Sequence, residues 1–467
     1  MTCPEQPCEK YGFIGNSPSS KKLDYAESWL AIEKYFVNNG HTSISRYPVV
    51  ARWRPDLYFT IASIVDFQRI EGGKVSFEFP ANPLIVPQMC LRFNDIENVG
   101  ISGKHFTSFV MIGQHCVANN TGYWKDKCIE LDYGLLTQVF GIPKNEIVFK
   151  EDVWVGYGAF GYSLEYFVRG LELGNAVFTE FEGNPSSYKP MNEKIIDMGA
   201  GLERFSWLTQ GTPTAYEAVF GPVVDEVLNT CNIIYDKDFF LDYSKISGVL
   251  NLDEAADIDV VRTTVAKQLG ITKNDLITKI TPMESMFALI DHVKTLIFAI
   301  SDGALPSNVG GGYNLRVLLR RALSKIDSQN WNITLGEVAD WHISYLSTIY
   351  PELQSHRDEI ITILEVEEKR YRNTQIRIKK LVGTIQRDNK VLTEENLIKL
   401  YDSDGITPEF LKDQGVSINI PPNFYAKVTE QHITHSVEKP KRIFEIDDLS
   451  PTRTLFYEDQ ELSLIHI

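Results

Sequence analysis

Six cysteines in 467 residues, at positions 3, 8, 90, 116, 128 and 231, are too few for a disulfide framework and point to free thiols in a reducing compartment. A cationic surplus is missing too. Forty-six Lys and Arg face 62 Asp and Glu, and the net charge of −16 excludes a protein that coats nucleic acid through general electrostatics. No apolar run approaches the roughly 20 residues needed to span a bilayer, and no basic segment followed by an apolar stretch opens the chain. A soluble, cytoplasmic protein with no membrane partner is the expectation. Internal repeats and low-complexity tracts are also absent.

What is present is a composition that buries itself: 43% hydrophobic and 11% aromatic residues, in a chain longer than one core usually organises. Ala26, Trp29, Leu30, Ile32, Phe36 and Val37 recur at helical spacing, and Gly40 stops that helix. Thr42, Ile44 and Arg46 alternate as a strand before Tyr47 and Pro48, and the chain reads as strand-rich from there to about 245. Beyond it the periodicity turns helical, as in Met286 to Ile300 and Tyr313 to Ile326, while Leu364, Tyr371, Ile378 and Ile385 form a seven-residue packing stripe. The last ~35 residues read as strand again. The division expected is 1–245, 246–430 and a strand-like linker over 431–467.

Two stretches carry chemistry. Arg92-Phe-Asn-Asp95, Gly100 to His105 and Phe109 form a polar loop between apolar strands, which brings a guanidinium, a histidine and an aromatic face around one ligand. Arginine's planar fork matches a phosphate oxygen pair, and an aromatic ring stacks a base. Alone, the stretch also suits an ordinary hairpin with an Arg92–Asp95 surface salt bridge. The second stretch, Ile195 to Phe205, is a strand whose Gly199 and Gly201 open onto a helix, where backbone approaches a ligand closely and anions are favoured. It is no dinucleotide fingerprint, because Arg204 stands where a third glycine would fall.

In order, Gly40 to Pro48, Arg92 to Phe109 and Gly199 to Arg204 resemble the three motifs of class II aminoacyl-tRNA synthetases. Within that class the chain is similar to the archaeal type of the alanyl-tRNA synthetase family, through Tyr47 to Arg54, Phe59 to Gln68, Pro80 to Leu84, Leu171 to Glu180 and Ser301 to Arg316. The resemblance implies an α+β fold: a six-stranded antiparallel sheet flanked by helices, then an α-helical tRNA-recognition domain. It implies ATP with Mg²⁺ as cofactors, and alanine and tRNA(Ala) as partners. Arg92 would hold the α-phosphate, Phe109 and Arg204 would sandwich adenine beside Gly201, His105 would touch the outer phosphates, and Glu180 would be the Mg²⁺ carboxylate. Asp197 would pair with the alanine ammonium, Asn175 and Trp154 would orient it, and Val177 and Gly199 would shape a small pocket.

For the acceptor stem, Arg316, Arg320, Arg321 and Lys325 fall near one helix face and suit phosphates, though a solvated charged face reads the same way. Asn308 or Asn314 would supply an amide to a wobble G·U pair, with Glu409 where the family places an aspartate. The chain departs from the family at Val110, Ala159 and Tyr162, in place of a glutamate, an asparagine and a proline. Those departures predict weaker catalysis. The Cys3 and Cys8 pair is half a structural zinc site, so no zinc is expected, and His432 and His435 read as surface residues. Thr452 to Asp459 resembles the entry to the family's editing module, which reads as a split or minimal protein or as part of a longer one; a monomer, with a separate editing protein or second subunit as partner, is expected. The competing readings are a paralogue that adenylates an amino acid for a non-tRNA acceptor and a catalytically weakened tRNA-binding protein.

Overall fold

The computed structural model describes residues 11–247 apart from 55, 72, 73 and 157, residues 258–387, and residues 392–418 with 424, apart from 405, 407, 414 and 417. Among the described residues of the first half are nine strands: β1 (Thr42–Ser43), β2 (Gln68–Glu71), β3 (Lys74–Phe77), β4 (Leu84–Leu91), β5 (Ser108–Val117), β6 (Ile147–Gly156), β7 (Ala159–Val168), β8 (Leu171–Asn184) and β9 (Ser187–Gly201). β2 and β3 form a separate hairpin, and the other seven make one sheet in the order β1-β4-β5-β9-β8-β7-β6. Every pairing in that sheet is antiparallel except the two-residue parallel contact of β1 on β4. The six long strands are those the class II resemblance implies.

The expected strand-rich stretch ends at Gly201, not near 245. Helices Leu202–Gln210, Ala215–Phe220, Pro222–Thr230 and Lys237–Ser247 follow. Burial of Leu202, Phe205, Leu208, Val219, Phe220, Val223 and Val227 against the sheet and its neighbours settles their form. The opening helix spans Tyr25–Asn38 behind an Asp24–Glu27 capping box and buries Trp29, Ile32 and Phe36 on one face. Leu30 and Val37, read as part of that face, are exposed.

Arg46 is no strand residue. Its fully buried guanidinium makes a bidentate contact with Asp302, at 2.7 and 3.0 Å, and its Nε donates to Glu352 at 2.8 Å. Asp302 also accepts from the Val49 amide at 2.7 Å. A buried charge persists only when paired and fully hydrogen-bonded, so this cluster ties Tyr47 to Arg54 to the Ser301 to Arg316 stretch.

Helix Lys273–Ser301 is buried along most of its second half and packs on β5 through Asp291, which accepts from the Thr107 amide and hydroxyl, and through Lys294, whose Nζ donates to the Ser108 carbonyl at 3.2 Å. One apolar core therefore runs from the sheet into the helices as far as Leu364. A second gathers Val382, Ile385, Leu397, Tyr401 and Leu411. The predicted stripe lies on helix Arg357–Arg387 and bridges them, Leu364 in the first and Ile385 in the second.

Candidate active site

Strand geometry sends alternate side chains to opposite faces, and the sheet uses this to line one cleft of about 1800 Å³. β5 supplies Phe109 and Met111, β8 supplies Asn175 and Val177, β9 supplies Asp197, Gly199 and Gly201, and β6 supplies Trp154. Val110, Ile112, Ala176, Phe178 and Met198, one residue out of step, lie in the core behind it. Arg92 and His105 enter from the loop between β4 and β5, and Arg204 from the helix turn after β9.

The Arg92 guanidinium lies 4.8 Å from the Phe109 ring centroid and donates to the Ile61 carbonyl at 3.1 and 2.8 Å, which fixes the fork over one aromatic face. Arg204 donates to the Glu172 carbonyl at 3.1 Å and pairs with its carboxylate at 3.3 Å. His105 Nδ1 is 2.7 Å from Ser102 Oγ. Two fixed cations and an aromatic ring make this end a receptor for an anion attached to a flat heterocycle.

The other end is smaller. Asp197 stands in register with His115 on β5 and Val177 on β8, and burial pushes its carboxyl up to about 7. Asn175 Oδ1 is buried and accepts no hydrogen bond among the described residues. A Cβ at Gly199 would sit 3.0 Å from Met111 Sδ, so glycine is what leaves room there. One acid, one unpaired amide oxygen and a short apolar wall suit a primary ammonium carrying a small side chain.

Ten of the expected cleft residues thus converge: Arg92, His105, Phe109, Trp154, Asn175, Val177, Asp197, Gly199, Gly201 and Arg204. Glu180 does not join them. Its oxygens are taken by Lys125 at 2.8 Å and Lys194 at 3.1 Å, and it follows Ala176 and Phe178 on the far face of β8. Val110, Ala159 and Tyr162 are also off the cleft. Val110 is buried with its amide donating to Glu203, Ala159 is buried at the start of β7, and Tyr162 is exposed beneath the Lys125 ammonium at 4.8 Å. The departures from the family sit behind or beside the cleft wall, not in it.

The helical face looks different. Arg316 on helix Gly310–Gln329 donates to Asn308, and Arg321 forms an ion pair with Glu97 at 2.9 Å, on the loop that carries Arg92. Arg320 and Lys325 are half-buried, and burial pulls both below their ordinary values, with Arg316 and Arg321 respectively adding to it. Asn314 is half-buried on the same helix. Glu409 belongs to helix Pro408–Asp413, but its side chain lies outside the described residues, as do Cys3, Cys8, His432, His435 and the 431–467 stretch.

Sequence reasoning missed several residues that line the cleft. Met111 is two residues beyond Phe109 on the same strand face, so period two alone could have found it. Glu172 and Lys104 lay inside quoted stretches without an assigned role, and Asp95 was read only as a salt-bridge partner for Arg92. The Glu146–Arg169 pair at 2.7 Å gave no sequence signal, because 23 residues separate its partners.

Residues 28–466 match the family described as tRNA synthetases class II (A). The chain is 51% identical over 463 residues to the alanine–tRNA ligase of Nitrosopumilus maritimus, covering 98% of this chain and 51% of the relative. It is 50% identical to that of Cenarchaeum symbiosum over 97% of this chain and 51% of the relative, and 41% identical to that of Methanocella arvoryzae over 98% and 52%. The chain spans about half the length of the curated relatives it matches.

Proposed function

The chain belongs to the class II (A) tRNA synthetases, and on that premise we propose that its cleft activates alanine with ATP and transfers it to the 3′-terminal adenosine of tRNA(Ala). The observation that supports this most is the small end of the cleft, where Asp197, the unpaired Asn175 Oδ1, Val177 and Gly199 meet.

In this reading Asp197 holds the alanine ammonium, Asn175 and Trp154 orient the amino acid, and its methyl group faces Val177. The carboxylate oxygen attacks the α-phosphorus of ATP, the bond to the bridging oxygen breaks, and pyrophosphate leaves with its electron pair. Negative charge develops on the α-phosphoryl oxygens, which the Arg92 fork, held by the Ile61 carbonyl over the Phe109 ring, would stabilise. Phe109 and Arg204 enclose the adenine beside Gly201, and His105 lies toward the outer phosphates. In the second step the terminal ribose hydroxyl attacks the acyl carbon and AMP departs.

Magnesium supplies charge neutralisation on phosphate oxygens and needs only one or two carboxylates. Glu180 does not fit that role, since Lys125 and Lys194 hold both its oxygens on the far face of β8.

The expected division, 1–245 for activation and 246–430 for the acceptor stem, assigns helix Gly310–Gln329 to the tRNA. Arg316, Arg320, Arg321 and Lys325 would contact phosphates, and Asn308 or Asn314, with Glu409, would read the G·U pair. A pocket of this size rejects glycine and serine by only about 1–3 kcal/mol, so a proofreading activity, such as a separate editing protein, is the partner its chemistry calls for. No helix among the described residues is long and apolar enough to cross a membrane, and a cytoplasmic monomer is the form proposed.

Alanine-dependent exchange of pyrophosphate into ATP, followed by charging of tRNA(Ala) with alanine, serine and glycine in parallel, tests the proposal. Exchange with charging supports it. Exchange without charging supports the non-tRNA acceptor, and absence of exchange the weakened tRNA-binding protein.

A further inference from the structure

Behind Asp197 lies a buried pair of residues that the activation chemistry above does not use. His115 stands opposite Asp197 in the β5–β9 register, with Nδ1 3.5 Å from Asp197 Oδ1 and Nε2 3.0 Å from Ser63 Oγ. Ser63 and His115 are both fully buried. A Cβ at Gly113 would lie 2.4 Å from His115 Nε2 and 2.7 Å from Ser63 Oγ, so glycine at that position is what lets the serine and the imidazole meet.

We propose that Ser63 and His115 form a positioning relay beneath Asp197 that fixes this carboxylate as the acceptor for the substrate ammonium. The inference rests on the alanine-activating reading of the cleft.

Burial holds the imidazole neutral, with its proton affinity depressed to about 3, so it carries a single ring proton. Ser63 decides where that proton sits. When the hydroxyl donates to Nε2, the proton is on Nδ1 and aims at Asp197, which favours the carboxylate. When the hydroxyl accepts from Nε2–H, the Nδ1 lone pair faces Asp197, which favours the protonated acid. His115 Nδ1 is buried and makes no hydrogen bond in the present geometry, so a contraction of a few tenths of an ångström toward Asp197 completes the relay.

The Ile196 backbone is the one other hydrogen-bonding group that acts on the ring, and it raises the imidazole's proton affinity slightly against the larger effect of burial. The Phe67 and Phe79 rings pack on the imidazole at 5.3 and 6.0 Å. Asp66, the ionisable residue on the Ser63–Asp66 turn, is raised by its own burial and answered by Arg69 and Arg46. Val177 faces Asp197 from β8, and Ile196 and Met198 flank it on β9. His115 is the one basic side chain within 4.0 Å of the Asp197 carboxylate among the described residues, and burial is the sole cause that raises its carboxyl.

The test is the pH dependence of KM for alanine in pyrophosphate exchange with the full 467-residue chain, from pH 6 to 9 at saturating ATP. In the native chain KM should rise as pH falls below about 7, where Asp197 takes up a proton. His115→Leu should move that rise about one pH unit higher, so that KM at pH 7 increases about fivefold while KM for ATP stays put. Ser63→Ala should shift it less, about threefold, because the ring remains but its tautomer is no longer imposed. His115→Asn places an amide nitrogen near the Nδ1 position and should restore most of the native profile.

Superimposable profiles for the native chain, His115→Leu and Ser63→Ala would overturn the relay while leaving the alanine reading intact. A loss that affects alanine and ATP alike at every pH, unrelieved by His115→Asn, would show a merely structural role and also overturn it. Absence of alanine-dependent exchange in the native chain would instead remove the reading on which the relay stands.

Discussion

The cleft and the Gly310–Gln329 helix assemble their polar groups by opposite means. In the sheet each strand has two faces, and residues two apart share one, so a cleft residue and its core neighbour are sorted automatically: Phe109 from Val110, Val177 from Phe178. On the helix, residues three, four and five apart fan out over a broad arc, and whether each cation reaches solvent or a neighbour depends on what packs alongside. Arg321 turns to Glu97 and Arg316 to Asn308, while Arg320 and Lys325 sink halfway into the fold. A strand's period fixes where a side chain points; a helix's period fixes only its neighbourhood.

The largest effect that could break this contrast belongs to Arg92→Ala. Losing the guanidinium proposed to hold the α-phosphate should lower alanine-dependent pyrophosphate exchange by about 10²–10³-fold, as the loss of a preorganised oxyanion donor does elsewhere, with tRNA binding retained. If exchange survives, the cleft's phosphate end is misassigned.

Asp197→Asn comes next. Replacing a charge-assisted hydrogen bond to the ammonium should raise KM for alanine by roughly 10–100-fold at pH 8. The stability effect runs the other way. The folded carboxyl titrates near 7, above its unfolded value, so the charged acid destabilises the fold above about pH 7 and this penalty fades as pH falls toward the unfolded value. Urea unfolding should therefore show Asp197→Asn more stable than the native chain at pH 8 and nearly equal to it at pH 4.

On the helix, Arg320→Ala should leave exchange unchanged, weaken tRNA(Ala) binding a few-fold and reduce the slope of log K against log salt by about one. Equal losses of exchange and binding would erase the distinction between the two regions.

The smallest effect is expected for Glu180→Gln. Burial works to raise this carboxyl, but Lys125 and Lys194 together hold it below the ordinary range. Its partly exposed pairs are each worth under about 1 kcal/mol, and their contribution is lost as pH falls through the carboxyl's depressed value. Exchange should stay within about twofold, and a hundredfold loss would return Glu180 to the magnesium role.

Legibility followed the same physics. The long helices were readable because period 3.6 is local, and Arg92, His105, Phe109, Gly199, Gly201 and Arg204 because their stretches are compact in sequence, whereas the class II sheet and Trp154, Asn175, Val177 and Asp197 came from the resemblance to class II synthetases. The helices between Leu202 and Ser247 were not, since apolar residues there satisfy strand and helix patterns alike until their burial partners are known. The Glu180 role came from the resemblance alone, and period two sets it apart from the cleft, because it alternates with Ala176 and Phe178 and not with Asn175 and Val177.

By itself the sequence determined which chemistry is available: a phosphate fork at Arg92, an aromatic platform at Phe109, an acid at Asp197 and glycines where backbone must come close. Only the tertiary structure decided which of these share a space and what stands behind them. Ser63, His115 and Asp197 lie on three separate segments, the first two 52 positions apart and the last two 82, and no local pattern encodes a contact across such distances. Their meeting depends on strand register and on the absence of a side chain at Gly113, both properties of the folded sheet alone.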